Sequence, residues 1–427
     1  MFEWHGKLEA KIPRVLPVKQ KFPSESVEDV EKAIAAELAK DEIVAHLKPG
    51  LKVALAVGSR GIGRLDEIVR AVVSELKQRG MEVFIVPSMG SHGGARAEGQ
   101  EELLAGYNIT EATVGAPIKS SMEVVTLGEI EPGFPVYVDK IATSEADLII
   151  PIARVKNHTS FRGDVESGMY KMLCIGLGKH KGAQSIHKQG FDRFKELIPK
   201  VGQFILDRIQ VPFGIALVEN AEELPALIEA VAAADWKWRE PELLQLSRKL
   251  MAQIYFRDLD ILVVREIGKN ISGSGMDPNI TGRFRMHFIK DGPLMVQKIV
   301  VLGLTEETHG NATGIGISDI TTKEVVEKID FHSTYTNCIT STRLDGAKLP
   351  VVMPNDFAAL TLAVMTANRV AEGQARMVFI NNTLELERIY VSEPLLAEVK
   401  ANPNMEVLGE PQELTFDAEG KLLLPKL

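Results

Sequence analysis

Cysteine is almost missing from this chain: Cys174 and Cys338 are the only two in 427 residues. Two thiols exclude a disulfide framework, and they exclude zinc or iron–sulfur centres built on thiolates. A reducing, cytoplasmic setting is the expectation. A basic surplus is missing as well. There are 49 lysines and arginines against 58 acids, a formal charge of −9. A nucleic-acid face needs the opposite balance, so nucleic acid is not an expected partner. No apolar run reaches the roughly 18 residues of a membrane helix, and no membrane span is expected. The N-terminus, MFEWHGKLEAKIPRV, lacks the apolar core of a signal peptide. Low-complexity segments and short-period repeats are absent too.

What is present is enough apolar material, 45% of the chain, for full-sized cores, and a length that suits two domains. Lys52–Val57 (KVALAV) reads as a buried strand, Leu65–Arg79 as a one-faced helix and Glu82–Pro87 as the next strand. A helix over Ala97–Ala105 and a strand over Asp147–Ala153 continue the series. Helix Phe191–Ile209, strand Phe213–Glu219 and helices over Glu222–Ala234 and Glu240–Gln253 follow. Alternation of this kind predicts a parallel sheet flanked by helices. A second α/β unit is expected from Asp260–Ile267 onward, with strands near 297–304, 349–353 and 377–380 and a helix over Asp356–Asn368. The fold class is therefore α/β, in two domains. Residues 1–257 form the first and 258–427 the second, each with a mostly parallel sheet. The active site is expected in the cleft between the domains, and the tail after about residue 391 is open to a return to the first domain.

The chemistry concentrates in turns that follow strands, where open α/β sheets bind ligands. Arg60 in GSRGIG suits a carboxylate, which a guanidinium grips with two parallel bonds; capping its own turn is the alternative. His92 in GSHGG and His158 in VKNHTSF are imidazoles on Gly-framed loops, fit to exchange protons near neutrality or to satisfy a loop carbonyl. Lys171 lies among apolar neighbours and is either a stem crossing the core edge or a desolvated nucleophile or attachment point. His187 can ligate a borderline metal. Gly176, Gly178 and Lys179, in GLGKHKG, look like an anion cradle. His180 reads as phosphate-facing or simply exposed. Neither a Walker motif nor a GxGxxG fingerprint is present. In the second half, Lys269, Asn279 and Arg283 sit on the Gly-rich loop after a strand and offer polar groups to a substrate.

Together, these residues resemble the nickel-dependent lactate racemase family, whose members carry a nickel-pincer nucleotide. The likeness runs from about Arg60 to Gly190. It implies that Arg60 binds substrate, that His92 and His158 are the acid/base pair, that Lys171 holds the cofactor covalently through a thioamide and that His187 ligates nickel. The spacings from His92 to His158 and from Lys171 to His187 are similar to the family's. Three departures stand out. The His158–Lys171 segment is a few residues longer than in lactate racemase itself. Val57 stands where that enzyme has an acid. GKNISGSGMDPN replaces its QxxK substrate motif. The resemblance thus implies retained cofactor chemistry with a different substrate: a racemase or epimerase of a 2-hydroxy acid or a sugar-derived hydroxy compound, acting by proton-coupled hydride transfer. It implies cofactor maturation proteins as partners and leaves a homo-oligomer open. Two other classes compete. A divalent-metal hydrolase would use the same histidines, although HExxH and HxH are absent. A non-catalytic binder of a phosphorylated metabolite would use Gly176–Gly182.

Overall fold

The computed structural model describes residues 7–58, 61–284, 289 and 292–426. The chain forms two compact units. Pro23–Met251 make one; the other joins the N-terminal stretch up to Phe22 to the chain from Ala252 onward. Fifteen strands are described: β1 (Val15–Gln20), β2 (Lys52–Val57), β3 (Glu82–Pro87), β4 (Val124–Glu131), β5 (Phe134–Asp139), β6 (Leu148–Arg154), β7 (Phe213–Glu219), β8 (Pro225–Ala232), β9 (Asp258–Val264), β10 (Met295–Val301), β11 (Ile320–Thr322), β12 (Val351–Met353), β13 (Met377–Ile380), β14 (Arg388–Ser392) and β15 (Met405–Val407).

In the Pro23–Met251 unit the sheet order is β3-β2-β6-β7-β8. The first four strands run parallel and β8 turns back antiparallel to β7. Strand residues alternate between two cores, as a period of two requires when both faces are covered. Val53, Leu55, Ile85, Ile150 and Leu217 pack one way, against helix Leu65–Gln78. Ala54, Ala56, Phe84, Ile149 and Val218 pack the other way, against helices Phe194–Leu206 and Trp236–Leu250. The small alanines of β2 leave room on that second face for the segment that bears Lys171. β8 corrects the helix expected over Glu222–Ala234. The segment PALIEAVA has helix-tolerant residues, but hairpin pairing from Phe213↔Ala232 to Val218↔Leu227 supplies its backbone partners instead.

One glycine shows how tightly this face is built. A Cβ on Gly202 would lie 2.4 Å from the Tyr170 ring. Tyr170 is buried and meets Trp236 edge to face at 5.5 Å. Gly202→Ala is therefore expected to cost about 1–3 kcal/mol through overpacking. Gly106→Ala is the control: it lies in a helix with nothing within 4 Å of its Cβ site, and should be neutral or stabilising. Urea unfolding of both variants checks the contrast.

The second unit carries a sheet of order β12-β11-β10-β9-β13-β14-β1-β15. β12 through β13 run parallel, and β14, β1 and β15 join antiparallel. Here the expected division of the chain needs amending. The boundary falls at 251/252, and the segment that crosses between the halves of the sequence is the N-terminus rather than the tail. β1 takes its hydrogen bonds from β14 and β15, with Val15↔Ser392 and Val18↔Val407 in register, so β14 and β15 stay in the second unit. Among the described residues, no helix is long and apolar enough to cross a membrane.

Candidate active site

The chain leaves β2 for β3 on one side and later returns to lay β6 on the other. That reversal between β2 and β6 is a topological switch point, where ligands meet the carboxyl ends of strands. The loops after β3 and β6 carry the expected His92 and His158, so both belong to one edge of one sheet.

Arg60 lies outside the described residues. Its turn is anchored further along, at Gly63. The Gly63 N–H donates to Glu219 Oε1 at 2.9 Å. A Cβ there would meet the Glu223 carbonyl at 2.1 Å, so only glycine fits. Glu219, at the end of β7, is also ion-paired with Arg154 at the end of β6.

The His92 loop is pinned from below. Gly93 has a positive φ of 65°, and a Cβ on it would strike Gly99 at 2.5 Å. The two glycines thus let the loop lie directly on helix Ala97–Gly106. The fully buried Gln100 amide donates to Gly90 O at 3.1 Å and to His92 O at 3.3 Å. The Gln100 Oε1 in turn lies 3.4 Å from Lys179 Nζ. His92 itself is exposed.

Here the expected anion cradle is overturned. Lys179 is fully buried, with its Nζ 3.0 Å from Asp139 Oδ2 and 2.5 Å from Pro87 O. Burial pulls this ammonium below its ordinary range, and the Asp139 carboxylate opposes that shift. A fully buried lysine held by these partners is out of reach of a phosphate. Gly176 and Gly178 are packing glycines: Cβ atoms there would meet Ser88 Oγ at 2.3 Å and Cys174 O at 2.4 Å. The Gly90 N–H donates to Gly176 O at 3.1 Å, so Gly176 joins the His92 turn to the Lys171 segment. His180 is exposed.

The His158 loop is built around a buried carboxylate that the sequence did not single out. Glu166, fully buried, accepts from the backbone N–H groups of His158 at 2.6 Å and Gly163 at 3.2 Å. Arg248, from helix Trp236–Leu250, donates to Glu166 Oε1 and to Asn157 Oδ1, both at 2.8 Å. Arg162 donates to His158 O at 2.6 Å. Burial pushes the Glu166 carboxyl up, while Arg162 and Arg248 hold it down. The one sequence signal was the Arg162/Glu166 spacing in RGDVE, which also fits an ordinary surface pair. The His158 ring rests on Phe161, with centroids 4.6 Å apart, and lies 6.2 Å from Phe191.

Lys171 and His187 close the site. The segment Met169–His187 runs as an α turn, a π-helical turn at Met172–Gly176 and helix Lys179–His187. Met172 ties it to the strand ends: its carbonyl accepts from Ser88 Oγ at 3.0 Å, and its Cε lies 2.9 Å from the Cβ site of Gly58. Lys171 is half-buried, with Nζ 3.3 Å from Ser167 Oγ. His187 packs on Phe191 and Phe194 with centroids 5.4 and 5.3 Å away. Its Nδ1 lies 2.5 Å from the Ala183 carbonyl. A carbonyl only accepts, so Nδ1 carries the hydrogen and Nε2 keeps its lone pair, the state in which imidazole binds a metal. Burial lowers the His187 pKa, and the positive charge of Lys171 lowers it further. The two residues therefore share one field, and His158 and His187 share the Phe191 ring. Cys174, between them, is inert: burial pushes its thiol up to about 12.

The three expected substrate residues of the other unit are occupied by their own loops. Arg283 is ion-paired with Asp319 and donates to Val296 O and Gln297 O, both at 3.0 Å, so it clamps β10. The Asn279 amide is buried against Asp277 Oδ1 at 2.8 Å. Lys269 Nζ donates to Gly273 O at 2.7 Å and Asn337 Oδ1 at 3.1 Å. Among the described residues, no three His, Cys, Asp or Glu side chains gather as a metal cage.

Residues 7–196 match the model of the lactate racemase N-terminal domain. No curated protein matches the chain. A crystal structure of a Thermotoga maritima protein is similar at a TM-score of 0.53 and 14% identity, over 84% of this chain and 97% of that one. At that identity the likeness concerns the fold alone. The lactate racemase apoprotein from Thermoanaerobacterium thermosaccharolyticum aligns over 67% of this chain and 73% of that one, at 12% identity and a TM-score of 0.44. The matched segment contains β2, β3 and β6 and every residue from His92 to His187 described above, so it is this part of the chain, under half of its length, that is similar to the lactate racemase N-terminal domain.

Proposed function

We propose that the protein is an isomerase, a racemase or epimerase of a 2-hydroxy acid or a related hydroxy compound, that works with a nickel-pincer nucleotide. The observation that carries this reading is the state of His187, with Nε2 bare, its proton on Nδ1 and its ring within the field of Lys171. The donor set fits the group. Lys171 is a half-buried amine at the start of a π-helical turn, suited to covalent attachment, and His187 Nε2 is an imidazole donor for nickel. When bound, the nucleotide would accept hydride from the substrate carbon and return it. The protein's own groups do the rest. His92 and His158, on loops after β3 and β6, hold and exchange the hydroxyl proton. Arg60 anchors the carboxylate or another oxygen, so that the carbon keeps its place between the two imidazoles. Lys269, Asn279 and Arg283 are not part of this reading.

The test is intact mass and nickel content of protein made together with the cofactor-making proteins. The expected result is an added nucleotide-sized mass on Lys171 with near-stoichiometric nickel. Lys171→Ala should lose both, and His187→Ala should keep the mass while losing nickel. Loaded protein should then interconvert the enantiomers or epimers of at least one hydroxy acid or sugar-derived compound. No adduct and no nickel, under conditions that load a lactate racemase, would overturn the proposal.

A further inference from the structure

We infer that Glu166 and Arg248 are positioning residues that fix the tautomer of His158, and that His158 meets its substrate as a neutral imidazole with the hydrogen on Nε2. The Ser160 backbone N–H donates to His158 Nδ1 at 3.0 Å. A backbone amide only donates, so Nδ1 must present its lone pair and the ring hydrogen belongs on Nε2. His187 holds the opposite arrangement, with Nδ1 donating to a carbonyl. The two imidazoles on this edge are therefore set for different tasks, one as a hydrogen-bond donor through Nε2 and one as a lone-pair donor through Nε2.

The Ser160 amide reaches Nδ1 because the loop from Asn157 to Glu166 is closed on itself. Glu166 Oε2 takes the His158 N–H at 2.6 Å and its Oε1 takes the Gly163 N–H at 3.2 Å, which brackets Ser160 between two fixed amides. Arg248 spans the same loop, with Nε on Asn157 and Nη2 on Glu166. Arg162 fastens the His158 carbonyl. Phe161 then backs the imidazole ring itself. The clamp holds the peptide on both sides of Ser160, so the ring faces the amide in a single orientation.

This deepens the isomerase reading and rests on it only for what His158 meets. In that reaction a substrate oxygen alternates between hydroxyl and ketone. A neutral Nε2–H suits the ketone: it donates a hydrogen bond to the carbonyl oxygen without surrendering its proton, as a neutral imidazole can. For His158 to accept a proton at Nε2, its hydrogen must first move to Nδ1 and the Ser160 bond must break. The histidine pair is accordingly unequal in this chain. In its resting tautomer His158 polarises and orients the oxygen, and it takes up a proton only after that tautomer shift, a step that His92 is not shown to need.

The experiment is nitrogen-15 NMR of the full-length protein with labelled histidine, with the His158 signals assigned by their loss in His158→Ala. The chemical shift of each ring nitrogen reports whether it carries hydrogen. The expected result is an unprotonated Nδ1 and a protonated Nε2 at neutral pH, with His187 showing the reverse. Glu166→Gln and Arg248→Met should move the His158 signals toward the averaged shifts of a tautomer mixture, while the His187 signals stay in place and report an intact fold. If Glu166→Gln fails to fold, Arg248→Met carries the test, because Arg248 is partly exposed, at 31% of its side chain. A hydrogen on Nδ1 of His158 in the unsubstituted protein would overturn the inference. Unchanged His158 shifts in a folded variant would remove Glu166 and Arg248 from the role. No turnover is needed for this measurement, so it can fail while the isomerase reading stands, and the reverse.

Discussion

An Asp139→Asn substitution is expected to destabilise the unit formed by Pro23–Met251 by about 3–5 kcal/mol, the scale on which a buried ion pair loses one partner. Asp139 and Lys179 are both fully buried, and their charges meet at 3.0 Å. Asparagine can still accept the Ala142 N–H that Asp139 Oδ1 takes at 2.7 Å, so the helix cap survives. What goes is the charge that keeps the Lys179 ammonium tolerable. Neither Pro87 O nor Gln100 Oε1 replaces a full negative charge, and desolvation outweighs two neutral hydrogen bonds.

The loss should carry a pH signature. Burial already lowers the native pKa of Lys179 relative to the unfolded chain, with Asp139 opposing. Removing Asp139 deepens that depression. The unfolded chain then binds more protons than the native one between the folded pKa and the ordinary lysine value. Stability of the variant should therefore recover as pH rises through that window. Urea titrations at neutral and alkaline pH check this. A loss under 1 kcal/mol, or a deficit that grows with pH, would mean that water reaches the pair. The same network holds Gln100, and through it the carbonyls of Gly90 and His92, so the damage should reach the His92 loop as well.

Lys179 also marks where sequence reasoning stopped. In GLGKHKG it stands between glycines next to a histidine and a second lysine, the composition of a phosphate loop. Its partner Asp139 lies at the end of β5 (FPVYVD), a strand that pairs irregularly with β4, and nothing in GLGKHKG points to a carboxylate 40 residues earlier in the chain. Among the strands that were legible, β2, β3, β6 and β7 are buried on both faces, and their continuous apolar runs need no partner to be recognised. β8 was read as a helix because Ala, Leu and Glu suit helices; only the hairpin with β7 decides otherwise. β1 joins a sheet whose nearest strand, β14, is some 370 residues away in sequence, and no local pattern encodes that pairing. At the site, His92 and His158 stood out as imidazoles on Gly-framed loops, Lys171 as a lysine among apolar neighbours and His187 as an imidazole able to ligate a metal. Glu166 and Arg248 were invisible, because an acid and an arginine 82 positions apart look like any surface charges until one of them is buried.

Glu240→Gln is expected to remove about 4 kcal/mol of pH-dependent destabilisation between pH 5 and pH 9. Glu240 is fully buried, and burial pushes its carboxyl up to about 8 from an ordinary value of 4.5. Its Oε2 accepts from the Met169 N–H at 3.0 Å and the Tyr170 N–H at 3.3 Å, at the start of the segment that bears Lys171. Its Oε1 has no hydrogen-bond partner among the described residues. Two amides and the positive end of a helical turn favour the carboxylate by about 1–2 kcal/mol, and desolvation of a fully buried charge exceeds that. The native state therefore holds a proton that the unfolded chain has already released. Stability from this group is complete below about pH 4.5 and is lost as pH rises through about 8, at roughly 1.4 kcal/mol per pH unit in between. Glutamine can accept from the same two amides and does not titrate. The stability of Glu240→Gln minus that of the unsubstituted protein should accordingly grow from pH 5 to pH 9, as read by urea unfolding at each pH. A difference that stays flat would show a Glu240 that ionises normally and a segment start open to water. A growing difference would place the alkaline weak point of the fold at Met169, two residues from Lys171. No larger neighbour can fill in there, because a Cβ on Gly168 would lie 2.3 Å from Glu240 Oε1.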